Sequence, residues 1–312
     1  MGSALGLAHW LRAQGHTATV VLSSAVPDYL QWMPGALHCL SADADLPACT
    51  AALASAELIA CLDFGVLDRL EVLRDPVAAA LATGTPSLHL DHHIDLEAFA
   101  TWRLREVAAS STCELVGRLL DILQPPQATL TTEIATCLYT GILTDTGSFR
   151  FDSTTPAVHR RVATLIEAGA NPSAIQNHVF SNFSEARTRF LGRCLTEGLH
   201  TLPELNTAYI SVPLAWQQEF GLAPGDTEGI VNYALGIRGI NFAVILIEYP
   251  DQVKLSFRSV GSFSAQKFAG HFAGGGHYNA AGGRALLPLA VVERQVLDLL
   301  PSYAADLNYS RL

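Results

Sequence analysis

The feature that most constrains this chain is an alternation near its N-terminus. Three short apolar runs, TATVVL (17–22), ELIACLD (57–63) and PSLHLDHH (86–93), read as strands, and helix-favouring stretches such as DRLEVLRDPVAAALATG lie between them. Strand, helix, strand order builds βα units, because a parallel strand can be reached only by a crossover that carries the chain back to the same end of the sheet. The expected fold is therefore α/β, with a mainly parallel sheet flanked by helices. Beyond it, STCELVGRLLDIL, TEIATCLYTGILTD and TPAVHRRVATLIEAG carry helical patterns without another clear strand. The sheet is expected to stop near Asp91.

A second pattern follows. The more charged segment SNFSEARTRFLGRCLTEG reads as a connecting helix over 181–198, which places a first domain at 1–180 and a second at 199–312. In the latter, NTAYISVP, FAVILIEYP and QVKLSFRSV are strand-like, and AGGGHYNAAGG follows a short helix candidate, SAQKFAGHF. A smaller mixed α/β domain is expected there. A chain of 312 residues is long enough for two cores of ordinary size, and 49% hydrophobic with 15% charged residues describes a soluble globular protein rather than a disordered one.

Charge and cysteine usage narrow the partners. A net charge of -10 argues against a broad basic face for long nucleic acid, whose binding rests on many Lys and Arg contacts to phosphates. A short anionic substrate in a locally basic pocket stays compatible. Six cysteines without a CxxC pair signal neither a zinc knuckle nor a disulfide framework, so a reducing, cytoplasmic setting is expected. No apolar run approaches the ~20 residues that span a bilayer, and GSALGLAHWLRAQG reads as an amphipathic helix, so no membrane partner is expected.

The polar residues at element ends carry the chemistry. Asp91, His92 and His93 close an apolar strand, where ligands of α/β proteins bind, although a solvated turn would look the same. Asp63 ends ELIACLDFG, and Asp145 ends the apolar helix of GILTDTGSFRF; each could merely cap a helix. Together, two carboxylates and an imidazole at such ends suit a hard cation, Mn²⁺ or Mg²⁺ rather than structural zinc. In GGGHYNAAGG, Gly274, Gly275 and Gly276 would let backbone amides approach an anion, beside His277, although a tight turn needs glycines too. Alternation puts Lys254 and Arg258 on one strand face, and Arg258 could clamp a phosphate or sit in a surface ion pair.

ACLDFG, DHH at 91–93, GILTDTGSFRF, DTEGIVNYALGIRGI, KLSFRS and GGGHYNAAGG, in this order, resemble the DHH/DHHA1 phosphoesterases over nearly the whole chain. The likeness is greatest to the bacterial branch acting on short oligoribonucleotides and 3′-phosphoadenosine 5′-phosphate (pAp). This resemblance implies a hydrolase with two manganese ions and an activated water, acting in a cleft between the domains. It implies that Asp63 bridges both ions, that His92 and Asp145 ligate the second, and that Asp91 and His93 are catalytic, Asp91 by orienting its neighbour and His93 near the substrate phosphate. Arg258, Gly274, Gly275, Gly276 and His277 would hold the nucleotide. The implied partners are short RNA oligonucleotides or pAp, and a homodimer is compatible.

Members of this family open with a strand and a segment HxxPDxDxxGS that supplies further ligands. Gly2 and Ser3 match only its end, so the chain as given is expected to lack those ligands and to be impaired. His9 and His16 lack the strand-end context to replace them. The competing expectations are a degenerate, non-hydrolytic nucleotide-binding protein, a DHH exonuclease and a cyclic dinucleotide phosphodiesterase.

Overall fold

The computed structural model describes residues 1–94, 97–123, 130–223 and 225–308. The chain divides into two compact units, Met1–Asn182 and Phe183–Leu312.

The first unit contains helices α1 (Gly2–Ala13), α2 (Ala42–Ala54), α3 (Arg74–Ala82), α4 (Thr112–Leu123), α5 (Thr132–Asp145), α6 (Pro156–Glu167) and α7 (Pro172–Phe180). Its strands are β1 (Val21–Leu22), β2 (Leu40–Ser41), β3 (Ile59–Leu62), β4 (Ser87–Asp91) and β5 (Trp102–Arg105), all paired in parallel, β1 with β2 and β3 with β4 with β5. Leu62 lies opposite Leu90, so the chain leaves β3 and β4 at the same end and at neighbouring positions. The α/β expectation holds. The expected end of the sheet at Asp91 does not, because β5 continues it with Leu88–Asp91 facing Trp102–Arg105. WRLR is an edge strand whose residues are exposed or half-buried, so it lacks the buried apolar face that makes a strand visible in sequence. TATVVL also shrinks, to the pair Val21–Leu22.

The helices build the core of this unit. Ile134, Leu138 and Ile142 recur every four residues along α5 and are fully buried with Leu115 and Leu120 of α4 and Leu165 of α6. Each such side chain removed from water contributes about 1.5–3 kcal/mol. Helix α1 packs directly on α5, and glycine permits the distance: a Cβ at Gly2 would stand 2.5 Å from the Cys137 carbonyl oxygen. Helix α5 begins at a Thr131 cap whose hydroxyl accepts the Ile134 amide.

The second unit opens with α8 (Glu185–Arg193), whose Phe190, with the following Cys194, is buried against Ala208 and Ile210; the 181–198 segment thus contributes to this core. Its strands are β6 (Leu199–Leu202), β7 (Thr207–Val212), β8 (Phe242–Glu248), β9 (Val253–Ser259), β10 (Gly275–His277) and β11 (Ala280–Ala285). They form a mixed sheet in the order β10-β11-β9-β8-β7-β6, parallel only between β7 and β8. Strand β8 is covered on both faces, which explains the unbroken apolar run FAVILIE. One cover is aromatic, with Phe242, Phe257, Phe263 and Phe268 in mutual ring contact. Among the described residues no helix is long and apolar enough to cross a membrane.

Candidate metal centre

Three element ends of the first unit converge. Asp63 follows β3 and its amide donates to the Leu90 carbonyl at 3.0 Å, which sets it beside Asp91 at the end of β4. Its φ is +71°, a left-handed conformation costing a non-glycine residue about 1–3 kcal/mol. Two contacts hold this turn: the Thr112 hydroxyl donates to Asp63 Oδ1 at 2.7 Å, and the buried His89 ring bonds through Nε2 to the Phe64 carbonyl at 2.8 Å.

Asp91, 1% exposed, organises the next two residues. Its Oδ1 accepts from the amides of His92 (2.8 Å) and His93 (3.2 Å) and from His93 Nδ1 (2.7 Å). An aspartate bonding to the backbone just ahead of it turns the chain, and here it also fixes a neighbouring ring. Burial opposes ionisation of both partners but is outweighed: the His93 bonds hold the Asp91 carboxyl below its usual range, and Asp91, with the charges of Asp63 and Asp145, lifts the His93 imidazole above its own. Asp91 Oδ2 is buried with no hydrogen-bond partner among the described residues.

His92 is 5% exposed and bonds through Nδ1 to the Ala109 carbonyl at 3.1 Å. A carbonyl can only accept, so Nδ1 carries the proton and the lone pair sits on Nε2. Nε2 faces Asp63 Oδ1 at 3.7 Å and Asp145 Oδ2 at 3.8 Å. Asp145 ends α5, where the helix dipole is negative and a carboxylate is disfavoured. Its side chain keeps 35% of its surface, yet the protein crowding its other sides, followed by the charge of Asp63, raises its carboxyl to about 8.

These atoms fit a cation. One ligand atom each from Asp63, His92 and Asp145 lie within 4.8 Å of one another, as do those of Asp63, Asp91 and His93. Atoms held about 2.1 Å from a common ion at tetrahedral or octahedral angles stand roughly 3.0–3.6 Å apart, so 3.7 and 3.8 Å is close to the spacing required. Two carboxylates with one neutral imidazole are a donor set for Mn²⁺ or Mg²⁺.

In the second unit, β9 buries Val253, Leu255 and Phe257, and its other face carries Lys254, Ser256 and Arg258. Burial lowers the pKa of Arg258, partly offset by Glu228, and its guanidinium donates to the Phe257 carbonyl at 2.9 Å. Gly275–His277 forms β10, paired in a hairpin with β11. A Cβ at Gly274 would stand 2.1 Å from the Gly282 carbonyl oxygen, and Gly276, at φ +142°, would bring one within 2.7 Å of the Ala280 oxygen. Backbone packing therefore accounts for both glycines without a ligand.

Residues 1–142 match the DHH family, N-terminal domain, and residues 206–293 the DHHA1 domain. The chain is 31% identical over 283 residues to the bifunctional oligoribonuclease and PAP phosphatase NrnA of Thermus thermophilus, an alignment spanning 90% of this chain and 79% of that one. It belongs to the DHH/DHHA1 phosphoesterase family. The Bacillus subtilis NrnA is 25% identical over 225 residues, 72% of this chain and 69% of that one. An exopolyphosphatase-related protein from Bacteroides fragilis superimposes with a TM-score of 0.92 at 33% identity, over 99% of this chain and 89% of that structure.

In this phosphoesterase, all of the residues singled out around the DHH triplet meet: Asp63, Asp91, His92, His93 and Asp145 fall into the two overlapping groups. Arg258, Gly274, Gly275, Gly276 and His277 lie together on β9 and the β10 side of the DHHA1 sheet. Sequence reasoning passed over Thr112, Glu114 and His89. The first two had a signal, because Ser111-Thr112-Cys113-Glu114 is an S-x-x-E helix-start pattern just after DHH. His89 had none; one more polar residue in an apolar strand is indistinguishable from an exposed one.

Proposed function

We propose that this chain is a divalent-metal phosphoesterase for short oligoribonucleotides and pAp. The observation that carries the reading is the convergence of Asp63, His92 and Asp145, whose ligand atoms are too far apart for hydrogen bonds and suitably spaced for an ion. The substrate class rests on the likeness to NrnA of Thermus thermophilus. The acidic net charge supports short anionic substrates over long ones.

Manganese, when bound, supplies charge that polarises the phosphoryl group and lowers the pKa of an attacking water. The chain's own residues orient the reaction. Asp63 and Asp145 offer carboxylate oxygens, and His92 offers Nε2 because Ala109 claims the proton on Nδ1. Asp91 holds Nδ1–H of His93, so that its Nε2 is the atom that donates to a phosphate oxygen. In the DHHA1 unit, Arg258 and His277 bind the nucleotide phosphate, Arg258 from a partly desolvated position that strengthens a charge-assisted bond.

The triad offers three ligand atoms to one ion, whereas two-ion hydrolysis needs both sites filled. That count favours, as the second reading, nucleotide binding without hydrolysis. The purified, folded chain should be titrated with Mn²⁺ and assayed on pAp and a diribonucleotide. Mn²⁺-dependent release of inorganic phosphate from pAp and of mononucleotides from the dinucleotide is expected. Tight nucleotide binding with no turnover of either substrate would sink the first reading in favour of the second.

A further inference from the structure

The turn entering α4 holds both sides of the candidate metal centre. Ala109 supplies the carbonyl that fixes the His92 ring, and three residues later Thr112 donates its hydroxyl to Asp63 Oδ1. Ser110, Ser111, Thr112 and Glu114 are buried, at 2%, 0%, 1% and 3% exposure. So many polar groups out of water are costly unless paired, and these are paired in a defined pattern.

Ser111 takes the ordinary helix-start duty. Its hydroxyl accepts the Glu114 amide at 3.1 Å. Glu114 closes the loop by accepting from the amide (2.7 Å) and hydroxyl (2.8 Å) of Ser110, and its second oxygen takes Arg118, which also reaches Glu106 at 2.6 Å. A threonine at the first turn of a helix commonly spends its hydroxyl on a helix amide. Here capping is already done by Ser111, and Thr112 directs its proton forty-nine residues back along the chain, onto the strained Asp63. No packing need is visible for that choice, since valine would fill the same volume.

We infer that Thr112 is a positioning residue, which aims the Asp63 carboxylate at the ion while Glu114 anchors the turn that also aims His92. The inference rests on the metal reading proposed above. A hydroxyl–carboxylate bond fixes which Asp63 oxygen is engaged and how the group is rotated, and leaves its other oxygen for a cation. Loss of a partner of this kind lowers metal affinity roughly 10–100-fold in proteins generally.

The test is Mn²⁺ binding, read by electron paramagnetic resonance of the free ion, for the wild type, Thr112→Val and Thr112→Ser, with circular dichroism and thermal melting as the check on folding. Thr112→Val keeps the shape and loses the donor, and is expected to bind Mn²⁺ roughly 10–100-fold more weakly; Thr112→Ser keeps the donor and is expected to bind within about threefold of the wild type. A folded Thr112→Val that binds as tightly as the wild type overturns the inference. So does a Thr112→Ser that is as weak as Thr112→Val, because volume and not the hydrogen bond would then be at issue. Should valine not be accommodated, Thr112→Ala is read against Thr112→Ser in the same titration. A wild type that binds no Mn²⁺ overturns the metal reading itself, a result separate from equal binding by wild type and valine variant.

Discussion

The two units use unusual backbone for opposite ends. In the DHH unit, Asp63 holds φ +71° although nothing crowds its Cβ into that choice, and around it lie a carboxylate on the wrong end of a helix and a buried carboxylate oxygen without a partner. In the DHHA1 unit, Gly274 and Gly276 are bare because neighbouring backbone occupies the space, and around them lie tightly packed aromatic rings. Both are conformational oddities in a polar or glycine-rich motif. Only the first opposes its own local energetics, and strain kept without a packing reason points to function.

The sharpest way to break this contrast is to change one residue of each kind. Asp63→Asn should leave the DHH unit folded, with thermal stability equal to or above wild type because the repulsion on Asp145 is relieved. Mn²⁺ affinity and turnover should fall by more than the roughly 100-fold upper range that loss of an outer partner costs. Unfolding of this variant would erase the distinction. Gly274→Ala should do the reverse: overpacking against the Gly282 carbonyl should destabilise the DHHA1 unit by about 1–3 kcal/mol or more, seen as a lower melting temperature, while Mn²⁺ binding to the DHH unit persists.

Arg258→Ala sharpens the comparison from the DHHA1 side. Removal of a charge-assisted phosphate contact should cost about 1.5–3 kcal/mol, or roughly 10–100-fold in kcat/KM, with the Mn²⁺ titration unchanged. Unchanged catalytic efficiency would remove Arg258 from the substrate site. The smallest expected effect is on pH. An acid whose native pKa lies above its unfolded value binds more protons when folded, so its contribution to stability is complete below 3.8 and is lost as pH rises towards about 8. Metal-free wild type should therefore melt at lower temperature at pH 8 than Asp145→Asn does, relative to the two proteins at pH 5. His93 titrates in the same direction and Asp91 in the other, but both are common to the pair. Parallel pH profiles for the two proteins would discard the strained-carboxylate account of Asp145.

What was legible in the sequence follows from the same physics. β3 and β4 were visible because they are apolar between helices, and Asp63, Asp91, His92 and Asp145 because polar residues end those runs. β5 was hidden since an edge strand with arginines has no buried face to impose a period. Thr112 was hidden for a different reason: its hydrogen bond joins positions forty-nine residues apart, and only the parallel register of β3 and β4 makes them neighbours. The glycine loop misleads in the opposite sense. A run of glycines signals close approach of something, and sequence alone does not distinguish an anion from the chain's own backbone.

The packing of α1 on α5 has a consequence for how the molecule comes into being. The apolar face of Gly2–Ala13 is finished by residues of Thr132–Asp145, about 130 positions later. At ordinary rates of synthesis, on the order of 5–20 residues per second, the helix spends roughly ten seconds on a nascent chain before its partner exists. Closing so long a loop also makes this a contact of high order, formed late and slowly compared with the helix itself. The glycines that bring the two backbones together therefore seal a surface that has been waiting, and a chaperone that binds exposed apolar helices would find its interval of opportunity there.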